Sequence, residues 1–565
     1  MRDGHNLFAE APTGSGKTMA ALFPALKALP ALGGGRIFFL TAKTPGRTAA
    51  MEALASLQAA GASFRALELT AKNKICFSDS PAGCDPAACP FAIGYHDRVR
   101  GALRELAALG GAVGREGIET AARSHTVCPH ELSLDFSEWC DAVVGDFNHA
   151  FDPSARLQRH FGDDAPAKDV LLVDESHNLV ERARAMHSAA LSPRDLETRP
   201  GAARAKGGTK ARRALAQAAE RLTEFAASAA ACAETSIPRQ AHHAGGTALD
   251  SLPREVLESC RDAKLALETV LAAIPPGTPL AGWIEPWFAL NDWVAAAESF
   301  DGSCRLISSP GAALGIFCAD PSARLRRDLE RVRSAVFFSA TLSPLDYFCD
   351  LLGGGEGDDS IQLDSPFSPD QMQVRILPLD LTLKAREKTL PAVAAAVAEH
   401  IRARPGNHLV FCPSHSYLAR LLAALEPLLA GIPIVCQSPA MDEAARTGFL
   451  SHFASGTGTT GLAVLGGVFS EGIDLPGERL VGVCVVGTGL PQLSLERDIL
   501  RAHFEKTRGR GYDYAYLFPG MQRVLQAAGR LIRSTSDTGS ALLVDRRFCE
   551  PGHRSLLPGW WGAPD

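Results

Sequence analysis

The run Ala11-Pro-Thr-Gly-Ser-Gly-Lys17-Thr18 constrains the fold of this chain more than any other feature. Residues 5–9 before it read as a strand, and residues 19–28 after it read as a helix. A strand, a glycine-rich turn and a helix in that order cradle phosphate oxygens with backbone N–H groups at a helix N-terminus. In this reading Thr13, Gly14, Ser15 and Gly16 supply the cradle, Lys17 neutralises the outer phosphates of ATP, and Thr18 ligates Mg²⁺. Such a loop works where a strand delivers it to the end of a parallel sheet, so it predicts α/β architecture.

The rest of the chain agrees. Short apolar runs at 37–41, 170–173, 336–339, 409–412, 463–465, 481–486 and 541–544 alternate with helix-like stretches. Runs this short and this uniformly apolar mark parallel strands buried on both faces. They fall into two sets, predicting two α/β motor domains. Three regions interrupt them. Residues 73–140 are rich in Cys, Pro and Gly; residues 191–303 are rich in Ala, Arg and Lys with helical periodicity. Residues 349–370 carry a glycine-rich acidic stretch and two prolines, and read as a linker. The expected first motor is therefore 1–72, 141–190 and 304–348, with insertions at 73–140 and 191–303. The linker 349–370 then leads to a second motor at 371–565.

Composition excludes some classes. The formal net charge of −6 rules out a uniformly basic nucleic-acid binder and leaves room for a local basic groove. No run of 18 or more apolar residues predicts a membrane span, and the first residues lack a signal-peptide pattern. A cytoplasmic protein is expected. Its 14 cysteines then suit metal ligands or buried thiols better than disulfides. The chain starts almost at its phosphate loop, so a preceding segment is expected upstream of Met1.

Four further motifs carry chemistry. Leu171-Leu-Val-Asp174-Glu175 is an apolar strand ending in two carboxylates. Asp174 would hold Mg²⁺, Glu175 would position or deprotonate the attacking water, and His177 would couple nucleotide state to motion. Ser339-Ala-Thr341 follows a strand and reads as an element linking hydrolysis to grip on DNA. In Gln526-Ala-Ala-Gly-Arg530-Leu-Ile-Arg533, the three polar residues fall at i, i+4 and i+7, which predicts one face of a helix. There Arg530 and Arg533 would act as arginine fingers and Gln526 would orient water or the γ-phosphate. Gly466 to Asp474 follows a strand of the second motor and would help close the ATP cleft.

Cys76, Cys84, Cys89 and Cys128 sit between the phosphate loop and the acidic strand. Four thiolates suit a [4Fe–4S] cluster or a zinc ion. Their spacing is Cys-x7-Cys-x4-Cys-x38-Cys with no Cys-x2-Cys, where structural zinc usually takes two close pairs, and Cys140 is a possible substitute ligand.

The order of these motifs resembles the XPD/DinG group of superfamily 2 DNA helicases. Thr41-Ala-Lys-Thr44 is similar to that group's DNA-contacting motif. The segments from Cys128 and from Val144 to Pro153, and Tyr512-Asp-Tyr-Ala-Tyr with Pro519-Gly, also match. The resemblance implies two RecA-like motors, an iron–sulfur insertion at 73–140 and a mainly helical arch insertion at 191–303. It implies an ATP-dependent DNA helicase with 5′→3′ polarity, acting as a monomer on single-stranded and forked DNA in repair or replication. It also favours iron–sulfur over zinc. Arg204, Lys206, Lys210, Arg212 and Arg213 of the arch could contact phosphates, although a solvated helix face explains them equally well. Ser176 stands where the group has alanine, and the group's glutamine motif has no counterpart in this sequence. The competing reading is an ATP-switched nucleic-acid clamp, or a protein-displacing translocase, that does not unwind.

Overall fold

A computed structural model describes residues 4–78, 84–86, 88–198, 205–236, 246–275, 278, 280, 282–470 and 475–561. Arg204 and Asp474, expected at the arch and at the nucleotide, lie outside the described residues.

The chain opens with strands β1 (Leu7–Glu10), β2 (Ile37–Leu40), β3 (Arg65–Glu68), β4 (Gly111–Val113), β5 (Ala142–Gly145) and β6 (Val170–Asp174). It then leaves this sheet for a smaller one, built from β7 (Ala189–Leu191), β8 (Thr247–Leu249), β9 (Cys304–Ser309) and β10 (Ala313–Cys318). It returns with β11 (Ser334–Ser339) and β12 (Asp359–Gln362). The first sheet has the order β12-β1-β11-β6-β2-β5-β3-β4, and all its pairings are parallel. The second motor contributes β13 (Met372–Leu377), β14 (His408–Cys412), β15 (Ile434–Cys436), β16 (Thr460–Val464), β17 (Gly482–Val486) and β18 (Gly539–Val544). These form a parallel sheet in the order β13-β18-β17-β14-β16-β15.

The central strands read as the sequence predicts. Every residue of β2, β5, β6, β14, β17 and β18 is buried, because helices cover both faces of each sheet. One apolar cluster runs through the first motor, the cysteine-rich insertion and the second motor. The 191–303 region has its own core, centred on Trp283, Trp293 and Leu290. Its helices Gly208–Ser236 and Ile284–Glu298 pack on the antiparallel sheet β7-β10-β9-β8, and Arg254–Ala273 packs against these two helices, so this unit continues past residue 303 to Cys318.

Two further expectations change. Residues 349–370 are not all linker, because β12 lies among them and pairs with β1 along its whole length. Its side chains are all exposed, so no apolar run betrays it. The helix expected across Gln526–Arg533 ends at Ala528, capped by Gly529. Arg530 and Arg533 therefore follow a turn and do not share a helix face with Gln526.

Ion pairs join the motors on one side. The Arg508 guanidinium makes two hydrogen bonds to Asp350, at 2.8 and 2.9 Å, and Arg510 reaches Asp346 at 3.0 Å. No helix among the described residues is long and apolar enough to cross a membrane.

Candidate functional site

The phosphate loop leaves β1 and turns into the helix Lys17–Ala28. Gly14 and Gly16 take left-handed backbone angles, φ 77° and 72°, which favour glycine. A Cβ on Gly14 would also strike the Arg533 carbonyl of the second motor, so the two motors meet at this loop. The Lys17 ammonium is held over the loop by the Pro12 carbonyl at 3.1 Å. Burial lowers its pKa, while Glu175 and Asp174 work against that shift.

Asp174 ends β6, and Glu175 follows it in the left-handed region at φ 49°, an uncommon setting for a residue with a side chain. Burial, reinforced by the adjacent Glu175 charge, pushes the Asp174 carboxyl up to about 7. Glu175 moves the other way: burial opposes its ionisation, but His177, Lys17, Lys43 and a hydrogen bond from Ser339 hold its pKa below the usual range. One carboxylate is thus kept charged beside another that needs a cation to ionise fully. Ser176 is buried and its hydroxyl donates to the Phe338 carbonyl at 3.3 Å, which accommodates the residue where the related pattern has alanine.

His177 connects three motifs. Its Nδ1 lies 2.6 Å from Ser339 Oγ and 3.3 Å from Glu175 Oε2. Its Nε2 lies 2.7 Å from Gln526 Nε2 of the second motor. The amide can only donate, so Nε2 accepts and the ring proton sits on Nδ1, donating toward Ser339 and Glu175. A single imidazole therefore bridges the acidic strand end, the Ser339–Thr341 segment and the second motor. Gln526 Oε1 and Thr41 Oγ1, both at the same cleft, are buried and make no hydrogen bond among the described residues.

Arg530 and Arg533 line this cleft despite the early helix end. Arg530 Nε donates to the Ser470 carbonyl at 3.0 Å, which ties it to the Gly466–Ser470 segment. The Arg533 backbone N–H donates to Asp537 at 2.8 Å. The cleft has a volume of about 920 Å³. It is lined by Pro12 and Thr13 with Asp174, Glu175 and His177, and also by Phe367, Trp560 and Trp561. The aromatic residues were not singled out from sequence. Nothing local marks them, because they come from the inter-motor passage and the last described residues.

The four cysteines lie on one insertion. Cys76 caps the helix Lys72–Ile75, and Cys128 caps Pro129–Ser137. The Arg98 guanidinium donates to the Pro90, Ile93 and Thr126 carbonyls at 3.2, 2.6 and 2.7 Å, stapling the loop after Cys89 to the loop before Cys128. Phe77 packs edge-on against Phe91 at 5.0 Å, which draws the Cys76 loop to the same place. Burial raises the Cys128 pKa, and backbone N–H groups of Glu131 and His130 partly offset it. Ser78 N–H donates to Cys76 Sγ at 3.5 Å. Among the described residues, no three His, Cys, Asp or Glu side chains come close enough to hold a metal ion. Cys140 is a buried thiol, pushed up to about 12 by burial and donating to the Phe136 carbonyl.

Three family descriptions match successive parts of the chain: a DEAD/DEAH box helicase over residues 1–74, DEAD_2 over 64–196, and a helicase C-terminal domain over 397–563. The general transcription and DNA repair factor IIH helicase subunit XPD of Dictyostelium discoideum is 26% identical over 276 residues, 43% of this chain and 34% of that protein. The ATP-dependent DNA helicase chl1 of Aspergillus niger is 25% identical over 467 residues, 69% of this chain and 52% of that protein. The chain thus spans roughly a third to a half of the length of these curated relatives. A solved XPD helicase structure superimposes with a TM-score of 0.62 at 18% identity, covering 98% of this chain and 94% of that one. At that identity the match speaks for the fold.

Proposed function

Because the chain belongs to the XPD/DinG-like superfamily 2 helicases, we propose that it is an ATP-dependent DNA helicase that translocates 5′→3′ on single-stranded DNA as a monomer and opens forked duplexes in repair or replication. The observation that carries this reading is the His177–Gln526 contact, which joins the acidic strand end of one motor to the arginine-bearing segment of the other.

The roles follow from placement. The phosphate loop and Lys17 bind and orient the triphosphate. Thr18 and Asp174 would hold Mg²⁺, and the desolvated Asp174 carboxyl suits a cation, which supplies the countercharge it lacks. Glu175, kept ionised, accepts a proton from the attacking water. Gln526 Oε1 is an unused acceptor that can orient that water. Arg530 and Arg533 bring positive charge from the second motor to the transferring phosphoryl group, as arginine fingers do. Loss of the phosphate frees the arginines, and the His177 bridge reports the change to Ser339–Thr341. Asp474 is proposed to complete the nucleotide contacts by resemblance alone.

Cys76, Cys84, Cys89 and Cys128 are proposed to hold a [4Fe–4S] cluster, whose service here is to rigidify the insertion. The Arg98 staple and the backbone N–H groups aimed at Cys128 and Cys76 support this, since thiolates in clusters accept such bonds. The 191–303 unit is proposed to act as the arch over the DNA path. Lys206, Lys210 and Arg213 are exposed on it, whereas Arg212 stacks on Trp283 and bonds Thr198.

The test pairs single-strand-stimulated ATP hydrolysis with unwinding of a 5′-tailed fork. Hydrolysis with strand separation is expected. Robust stimulated hydrolysis without separation would overturn the helicase reading in favour of a clamp or protein-displacing translocase.

A further inference from the structure

The residues around Lys17 account for the phosphates of a nucleotide and for nothing else. The cleft nevertheless has a second kind of lining, the aromatic rings of Phe367, Trp560 and Trp561. Phe367 arrives from the passage between the motors, and its ring reaches within 3.1 Å of where a Cβ on Gly14 would stand. That ring is therefore seated directly on the phosphate loop. Trp560 arrives from the last described turn, Gly559–Trp561, and its ring centroid lies 5.8 Å from that of Phe367 at 61°. Trp561 is buried behind it, with ring centroids 6.3 Å apart, and fixes the turn to the core. Trp560 itself is only half-buried and lines the cleft.

A cavity whose lining joins cationic and carboxylate groups to aromatic rings offers partners to both the phosphates and the base of a nucleoside triphosphate. The geometry points to Phe367 and Trp560 as the platform that binds the nucleobase. This rests on the nucleotide site proposed above and extends it to residues that no phosphate-binding motif contains. The platform draws on both sides of the cleft: Phe367 sits on the loop of the first motor, and Trp560 belongs to the C-terminal segment that packs on the second. A base stacked against this pair would bind to the closed arrangement in preference to an open one. Stacking reads no hydrogen-bond pattern, so the larger face of a purine gives only a modest preference over pyrimidine nucleotides.

The test compares nucleotide with bare phosphate chain. ATP, CTP and inorganic tripolyphosphate are titrated as substrate or competitor against the full chain, the Trp560→Ala variant and the Trp560→Phe variant, with intrinsic fluorescence followed on ADP addition. Trp560→Ala is expected to raise KM for ATP about tenfold and to leave inhibition by tripolyphosphate as in the parent protein. Trp560→Phe is expected to keep ATP affinity while losing the ADP-induced quench. ATP affinity untouched by Trp560→Ala, or equal loss of ATP and tripolyphosphate binding, would overturn the platform. If the unmodified chain fails to bind either ATP or tripolyphosphate, the nucleotide site itself fails, which is a separate outcome.

Discussion

Replacing Gln526 by alanine removes the hydrogen bond to His177 Nε2 and nothing else that His177 makes. Its contacts to Ser339 and Glu175 stay within the first motor. His177 is buried but lines the cleft, so its Nε2 is either left unpaired or reached by water through the space that Gln526 vacates. A neutral hydrogen bond contributes about 1 kcal/mol net, and a buried group left unsatisfied costs about 1–3 kcal/mol. At 1.4 kcal/mol per tenfold, the closed arrangement loses about five- to a hundredfold in weight. We expect Gln526→Ala to lower kcat/KM for ATP by that range with saturating single-stranded DNA. Gln526 is also proposed to orient water, so a single substitution cannot isolate the bridge. A double-mutant cycle with His177→Ala can. If the bridge carries the coupling, the second substitution costs little once the first is made, giving an interaction energy of about 1–2 kcal/mol. Effects that add to within about 0.5 kcal/mol would refute the reasoning.

Lys17→Ala should abolish ATP hydrolysis while DNA binding, measured by fluorescence anisotropy, persists; retained turnover would reject the phosphate-loop assignment. Cys89→Ser should cost fork unwinding more than single-strand-stimulated hydrolysis, since the insertion loses rigidity before the motors do. Equal and complete loss of both would instead make the insertion a support for the whole fold. Glu10, at the end of β1, is pushed up to about 7 from 4.5 by burial, despite the Gln362 amide donating to it at 2.7 Å. The folded state then keeps a proton that the unfolded chain has lost, so stability should fall as pH rises from about 4.5 to about 7, by up to about 3 kcal/mol. Melting curves of the parent and Glu10→Gln at pH 5 and pH 8 check this: the variant should show the smaller difference, and parallel slopes would contradict it.

Legibility followed burial and locality. Leu171–Glu175 could be read at sight, because a strand covered on both faces must be apolar throughout and its carboxylates must then fall at its end. The phosphate loop was equally plain, since Gly14 and Gly16 serve backbone angles that only a few residue types tolerate. Arg530 and Arg533 reached the expected cleft by an unexpected route. Periodicity predicts a helix, but Gly529 ends it, and the Ser470 carbonyl holds Arg530 instead. The strand β12 was invisible because its residues Asp-Ser-Ile-Gln are all exposed, and only backbone pairing with β1 defines it. Phe367 and Trp560 were equally hidden: no spacing rule relates two aromatic residues that meet only when both motors fold. The cysteine spacing suggests a ligand set, but how the cysteine loops are drawn together, by Arg98 and the Phe77–Phe91 contact, could not be read from it.

Pairing of β12 with β1 also sets a mechanical limit. The covalent tie between the motors is no longer the long glycine-rich stretch but the nine residues 363–371 that separate β12 from β13. Fully drawn out, a leash of that length spans about 30–35 Å. Five of its residues, Leu363, Asp364, Ser365, Phe367 and Pro369, run through the cleft itself. Separation of the two motors is therefore bounded by the cleft itself: pulling them apart tightens the tether that lines it, and a wider excursion requires β12 to peel from the sheet edge.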